Sequence, residues 1–462
     1  MEAFMKKFTA LMLVVLMVVA MVPFSASAAT WTKVDTAAEL AAMADGNYWL
    51  TADIDLSKET WTKIAEFKGT LNGNGHTITV PKDTLFIEKL SGTVKNLNLK
   101  GAMTLDAADA SAYVSPRDVK GGGIGALAGY AQGATIDNVD VDVDITYTGK
   151  IANFGGIVGN AIPVWEGEKA ETYVRKAANT ISNCSVAGTW SIKYSEAVKS
   201  AIGGVVGLVT DSTVVDSCTV TVKAAIENCK GQAGGLVGSS YTDAHINAFA
   251  ETMVPATVKN SLFAGDFSFS VAGLDQSAAL VGYCRGGSII NCAATGSWST
   301  TGGGTRHILS YSNIGNAEYS KVVVKGNVSV ATVKKGDAAV ADALYSKNLG
   351  VFVTNNILVA GQTVKVEIFE GSNVVATNPA DQVKDNVEAA DAAAALAKFA
   401  ENNAEFKLEG GKLATVTPAF TPEADPADPK PAPTGDMTVA LVAVAVVSLA
   451  AVTVIAKKKV TE

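Results

Sequence analysis

Apolar and polar residues alternate through the middle of the chain. Val139, Val141, Val143 and Ile145 fall on one face of an extended segment. Cys184, Val186, Trp190 and Ile192 repeat the pattern, with Gly188 between them, and Ser261, Phe263, Phe267 and Phe269 do so around Gly265. A period of two predicts half-buried strands. The two ends of the chain read differently. Residues 10–22 are uncharged and apolar, follow Lys6 and Lys7, and precede Ala26-Ser27-Ala28. That is the order of a secretory signal, so the mature chain is expected to begin near Ala29. Residues 437–456 are 20 positions without a charge, followed by Lys457, Lys458 and Lys459. As a helix they would span roughly 30 Å, the depth of a bilayer core. The basic tail would stay cytoplasmic and leave the bulk of the chain outside.

The strands recur in repeats. One copy begins Gly155-Gly156-Ile157-Val158-Gly159 and continues Ile181-Ser182-Asn183-Cys184. The next begins Gly203-Gly204-Val205-Val206-Gly207 and continues Val215-Asp216-Ser217-Cys218. The third pairs Gly234-Gly235-Leu236-Val237-Gly238 with Val258-Lys259-Asn260-Ser261, and the fourth pairs Ala278-Ala279-Leu280-Val281-Gly282 with Ile290-Asn291-Cys292. A weaker copy holds Gly125, Gly129 and Asn138, and a half-copy holds Asn96. A constant core with variable insertions predicts a solenoid of stacked coils. Equivalent residues should then form ladders about 4.8 Å apart. Three are expected. Cys184, Cys218, Ser261 and Cys292 form an inward column of small buried residues. Asn96, Asn138, Asn183, Asn260 and Asn291, with Ser217, stack at a bend where amides bond coil to coil. Trp190, Phe267 and Trp298 stack in the interior. The glycines at the repeat heads are expected to supply positive φ at tight corners.

The strand Val364–Ile368, an Ala-rich helical stretch over residues 386–402 and a hairpin around Gly410-Gly411 read as a C-terminal cap or small domain. A short helix near residues 37–43 between two strands reads as an N-terminal cap that covers the open edge of the first coil. Residues 421–433, rich in Pro, Ala and Asp, predict an extended spacer. The expected division is therefore 1–28 signal, 29–66 cap, 67–330 repeat solenoid, 331–420 cap or small domain, 421–436 spacer, 437–456 transmembrane segment and 457–462 basic tail. The fold class expected is all-β, a parallel β-helix with small caps and a C-terminal transmembrane helix.

Charge and chemistry narrow the function. The formal net charge is −8 and no basic patch with interleaved aromatics occurs, which excludes a nucleic-acid partner. Of the five cysteines, Cys229 and Cys284 fall outside the column, and a disulfide between them stays open. No zinc spacing, His-Glu-x-x-His or Gly-x-Ser-x-Gly occurs. No cofactor or catalytic residue is assigned. Asp140, Asp142 and Asp144 share a strand face that could hold Ca²⁺ but more often is simply solvated, so no metal is assigned. His76, in a turn after Gly73-Asn74-Gly75, reads as structural. Two long insertions are better sites for recognition. Residues 161–178 contain Trp165 and Tyr173, and residues 239–256 contain Tyr241. Their aromatics either bind a ligand or fold back over the coils.

The head Gly-Gly-Leu-Val-Gly followed by Ile-x-Asn-Cys/Ser resembles the GLUG repeat of bacterial surface adhesins and IgA-protease-like surface proteins. The segments Tyr48-Trp49-Leu50 and Phe67-Lys68-Gly69-Thr70-Leu71-Asn72-Gly73 resemble the entry region of such proteins. The resemblance implies the repeat scaffold and not the protease. Pro431-Ala432-Pro433-Thr434-Gly435 resembles a sortase sorting signal, with Pro431 where the family has Leu and Ala432 where it has Pro. Cleavage between Thr434 and Gly435 would join the protein to peptidoglycan. Without it the apolar span would anchor the chain in the membrane. Both place it on the outer face of a Gram-positive-type envelope. The expected function is that of an adhesin-like surface protein binding a glycan or an extracellular protein. A β-helix polysaccharide lyase or hydrolase is the alternative, and a stalk without ligand the third reading.

Overall fold

A computed structural model describes residues 30–106, 122–150, 152–166, 174–241, 254–271, 273–312, 321–347, 350–370, 372–416 and 420–423. The signal region, Tyr173, Thr434, Gly435 and residues 437–456 lie outside them. Residues 32–421 form one compact unit. No helix among the described residues is long and apolar enough to cross a membrane.

The chain is mostly β. Among the described residues one sheet has 27 strands, a second 11 and a third six. Nearly all neighbours are parallel, and each coil contributes to the same sheets as the one before it. Register follows one column without slipping: Leu71, Val94, Ile136, Ile181, Val215, Val258, Ile289, Val324 and Val353 pair in turn. The side chains of this column are 0–2% exposed, so a slip by one residue would turn the whole row outward. The parallel register runs beyond residues 67–330 on both sides, from Asn47 to Ala389.

The bend expected at the Asn column is a left-handed residue. Asn96, Asn138, Asn183, Ser217, Asn260 and Asn291 have φ of 51–54°. Asn tolerates this region best among residues with a Cβ. The amides bond coil to coil in two ways. Asn138 donates to the Asn96 Oδ1 at 2.9 Å, and Asn96 to the Asn72 Oδ1 at 3.2 Å. Asn183 and Asn260 instead donate to Asp137 and Asp216 of the preceding coil.

The next residue inward is the expected Cys/Ser column, and it does more than fill space. A left-handed residue interrupts the ladder, and the following N–H needs an acceptor. The Cys218 N–H donates to Ser261 Oγ at 3.0 Å and the Cys292 N–H to Asn327 Oδ1 at 2.8 Å. The Asn327 N–H donates to Asn356 Oδ1 and the Asn356 N–H to Asn386 Oδ1. The Ser261 N–H also approaches the Cys292 sulfur and lowers its pKa against the effect of burial. All five thiols are free and buried.

The interior aromatic column forms. Phe267 and Trp298 stack with centroids 5.4 Å apart and planes at 19°. Trp190 lies 5.8 Å from Phe267 because Ala224 is the residue in the coil between them.

The repeat-head glycines correct an expectation. Gly155, Gly156, Gly203, Gly204, Gly234 and Gly235 are not among the residues with positive φ. They are glycines because neighbours come too close. A Cβ on Gly204 would stand 2.2 Å from the Gly235 carbonyl oxygen. On Gly235 it would stand 2.1 Å from that of Ala279 and 2.4 Å from the Phe263 ring.

A helix α1, Ala37–Ala41, carries a capping box between Thr36 and Glu39 and buries Leu40 against the first coil. A second helix α2, Ala392–Asn402, starts at the N-cap Asp391 and leads into the hairpin Phe406–Glu409/Lys412–Thr415. These form no lid over the last coil. They lie along the outside of the stack, where Leu396, Phe399, Phe406 and Leu413 cover the outward column Leu262, Ala293, Val328 and Ile357. The Thr415 hydroxyl meets that of Thr219, the next member of the column, at 2.8 Å. The Phe420 ring rests on Gly75, near the first coils.

Gly235→Ala is expected to cost about 1–3 kcal/mol, since neither the Ala279 backbone nor the packed Phe263 can yield freely. Gly302→Ala, where the nearest atom would be 3.6 Å away, should be near neutral. Urea midpoints of the two variants check this. Equal midpoints would contradict the close-approach account.

Candidate functional site

The six-stranded and eleven-stranded sheets meet at the Gly-Gly corner. Beyond it, consecutive strands of the larger sheet skip one paired position, at Gly159, Gly207, Gly238 and Gly282, and keep the same register on either side. A Cβ on Gly159 would stand 2.3 Å from the Ile124 nitrogen. The skip turns the following residues, Asn160, Leu208, Ser239 and Tyr283, away from the apolar interior. They face the outward row Asn153, Ala201, Gln232 and Gln276 of the six-stranded sheet. Asn153 donates to the Asn160 Oδ1 at 2.8 Å.

Tyr241 lies at this corner, at the end of the strand Val237–Tyr241. Its hydroxyl donates to the Gln232 Oε1 at 3.2 Å, and the Ser239 hydroxyl donates to the same oxygen at 2.8 Å. Gln232 then donates to the Gln276 Oε1 at 3.1 Å. The Tyr241 ring lies 5.2 Å from that of Tyr283. Tyr241, Gln232 and Gln276 are half-buried. Ser239 and Tyr283 are buried beneath them, so the exposed part is the Tyr241 ring and two fixed amides, groups that stack on apolar faces and exchange hydrogen bonds without carrying charge.

Trp165 lies in the strand Val164–Glu166, paired antiparallel with Val174–Ala177 opposite Arg175. The hairpin sits on the turn at Gly133, where a Cβ would come within 2.8 Å of Val164 Cγ2. Its insertion and that of Tyr241 leave from one column, since Ala161, Val209 and Ser240 are in register. Two coil spacings, roughly 10 Å, separate their roots. The partners Gln232, Gln276, Ser239 and Tyr283 were not singled out in the sequence, although Asn160, Ser239 and Tyr283 all directly follow the last glycine of a repeat head.

Of the remaining candidates, Asp140, Asp144 and His76 make contacts within the scaffold. Asp140 and Asp144 are exposed, and each accepts a hydrogen bond from the next coil, from the Ser185 hydroxyl and the Thr189 N–H. No group of three or more His, Cys, Asp or Glu suited to a metal occurs among the described residues. The Asp53 carboxyl accepts the Thr77 N–H and lies 3.4 Å from His76 Nδ1, and these contacts hold it below the usual carboxylate range. Burial pushes the thiols of Cys229, Cys284 and Cys292 up to about 12. Such thiols are not nucleophiles at neutral pH.

A concavity of about 320 Å³ lies beside the last coils, with His307 at its wall among Val330, Ala331, Val340 and Ala360. His307 Nε2 is 2.8 Å from the Val340 carbonyl, so it carries the proton, and Nδ1 accepts from the Ser329 hydroxyl at 3.1 Å. Burial lowers its pKa from the ordinary 6.5.

No protein-family model matches the chain, and no curated protein does. A crystal structure from Bacteroides ovatus, described as a "putative immunoglobulin A1 protease", is similar at 15% identity and a TM-score of 0.45. The likeness covers 86% of this chain and 94% of that one. At that score it carries no argument about fold or activity.

The unfolded chain takes up a proton at His307 that the folded protein resists, in the interval below pH 6.5. That contribution to stability is therefore present at pH 7 and declines as the pH falls through 6.5 toward the folded-state value. His307→Gln should lose less stability than the parent between pH 7 and pH 5, compared by urea denaturation. An unchanged difference would contradict the assignment.

Proposed function

We propose that this chain is a non-enzymatic, adhesin-like protein of the cell surface, and that its solenoid presents a glycan- or protein-binding face at the corner of Tyr241. The observation that carries the reading is the Tyr241–Tyr283 pair held over the Ser239–Gln232–Gln276 amides, at the root of two long insertions. A half-buried aromatic whose hydroxyl is already fixed loses little freedom on binding, and neutral amides suit hydroxyl-rich or peptide ligands. Trp165 and Tyr173, on the neighbouring insertion, complete the proposed ligand set. The signal-like residues 1–28 supply export. Attachment is through Thr434 and Gly435 by a sortase, or through the span 437–456 in the membrane. The interlocking of Asp140 and Asp144 with the next coil supports a binding rather than a hydrolytic role, since both carboxylates hold the scaffold together.

The test presents a panel of glycans and extracellular-matrix proteins to the full chain, with product analysis of every polysaccharide. Saturable binding is expected without new reducing or unsaturated ends. Tyr241→Ala should weaken it at least about tenfold, the loss of one aromatic anchor. Polysaccharide cleavage would overturn the non-enzymatic reading, and binding indifferent to Tyr241 would overturn the site.

A further inference from the structure

The segment from α2 to Phe420 is a strap laid back along the stack. It leaves the coils at Ala389, in the last parallel strand, and its final described contact before Thr421 is Phe420 on Gly75. Between these points the paired column Asn72, Lys95, Asp137, Ser182, Asp216, Lys259, Ile290, Lys325, Thr354 and Lys384 marks nine coil spacings. Nine spacings come to roughly 43 Å.

The strap's grip is uneven. At its root Phe399 is fully buried, packs on Phe406 at 4.9 Å and covers the outward apolar column. Toward the exit the described contacts include Leu413, the Thr415–Thr219 hydroxyl pair and the Phe420 ring on a turn. Val416 and Phe420 are 48% and 37% exposed there. Among the described residues the strap's strands pair only with each other, and none enters the three large sheets. The coils are held by continuous backbone ladders.

Any pull on the chain beyond Thr421 must pass through the strap before it reaches the last coil. We infer that the strap is a detachable length reserve: tension from the C-terminal side strips it from Phe420 toward α2 and pays out chain while the coils, and the face at Tyr241, stay folded. About 30 residues would be freed, roughly 100 Å fully extended, or about 60 Å beyond the distance the strap already spans. The stripping is a property of the strap's contacts. Only its physiological load rests on the proposed surface attachment.

The test holds the full chain by its C-terminus and by a handle at Lys193→Cys, an exposed coil position away from the strap, and pulls single molecules. A first, reversible event is expected at lower force than the unravelling of the coils; because Lys193 lies three coil spacings from the Phe420 contact and six from the root of the strap, it should gain roughly 115 Å. A Thr219→Cys/Thr415→Cys disulfide should remove most of that event, and reductant should restore it. Phe420→Ala, which leaves the apolar column covered, should lower the force at which the event begins. A first event well beyond roughly 115 Å, which would require coils to unravel with the strap, or one indifferent to both the disulfide and Phe420→Ala, would overturn the inference. Failure of surface attachment would be read separately, as protein lost to the medium in cell fractionation, and would leave the force trace unchanged.

Discussion

One left-handed residue per coil governs this fold. It lets the chain turn a corner without a loop, and it takes the following N–H out of the ladder. A buried N–H without a partner costs about 1–3 kcal/mol, and the defect would recur in every coil. The chain answers with the side chain of the next residue inward. Ser261, Cys292, Asn327, Asn356 and Asn386 each offer an oxygen or sulfur to the preceding coil. The same groups donate in turn. Ser261 and Cys292 reach the carbonyl two residues back, while Asn327 and Asn356 reach the preceding coil. Toward the C-terminus the column changes from thiol and hydroxyl to amide. There the left-handed position passes to Gly326, Asn355 and Asp385, so the bend persists while its chemistry shifts.

With the bend fixed, the rest of the coil follows. Strands on either side stay in register, and the aromatic column fills the interior. The opposite corner must then be thin, because Phe263 occupies the space a Cβ on Gly235 would need. Large interior rings and the Gly-Gly heads are two sides of one packing problem. The outer corner at Tyr241 is the external consequence of that thinness. Two sheets come close enough there for Ser239 and Tyr241 to share the Gln232 carbonyl oxygen.

Much of this was legible in the sequence because it is local and repeated. Asn at a fixed offset before alternating apolar residues marks the bend, and the period of two marks the sheets. The heads were misread because glycine serves both positive φ and close approach, and only the neighbouring coil distinguishes them. Residues 331–420 read as a cap or small domain, and the strap itself is not legible, because Thr219 and Thr415 are 196 residues apart and no periodicity reports such a contact. Tyr241 was visible as an aromatic in an insertion. Its partners were not, because Gln232 and Gln276 lie in separate repeats and meet it only across the corner.

The acceptor column is tested most directly at Ser261, which is fully buried between Cys218 and Cys292. Urea denaturation of Ser261→Cys and Ser261→Ala separates hydrogen bonding from simple filling of space. The account predicts that Cys is nearly neutral, as at the equivalent positions, and that Ala loses about 1–3 kcal/mol although it is the more easily buried side chain. An Ala variant as stable as the parent would contradict it, and the column would then be a packing feature alone.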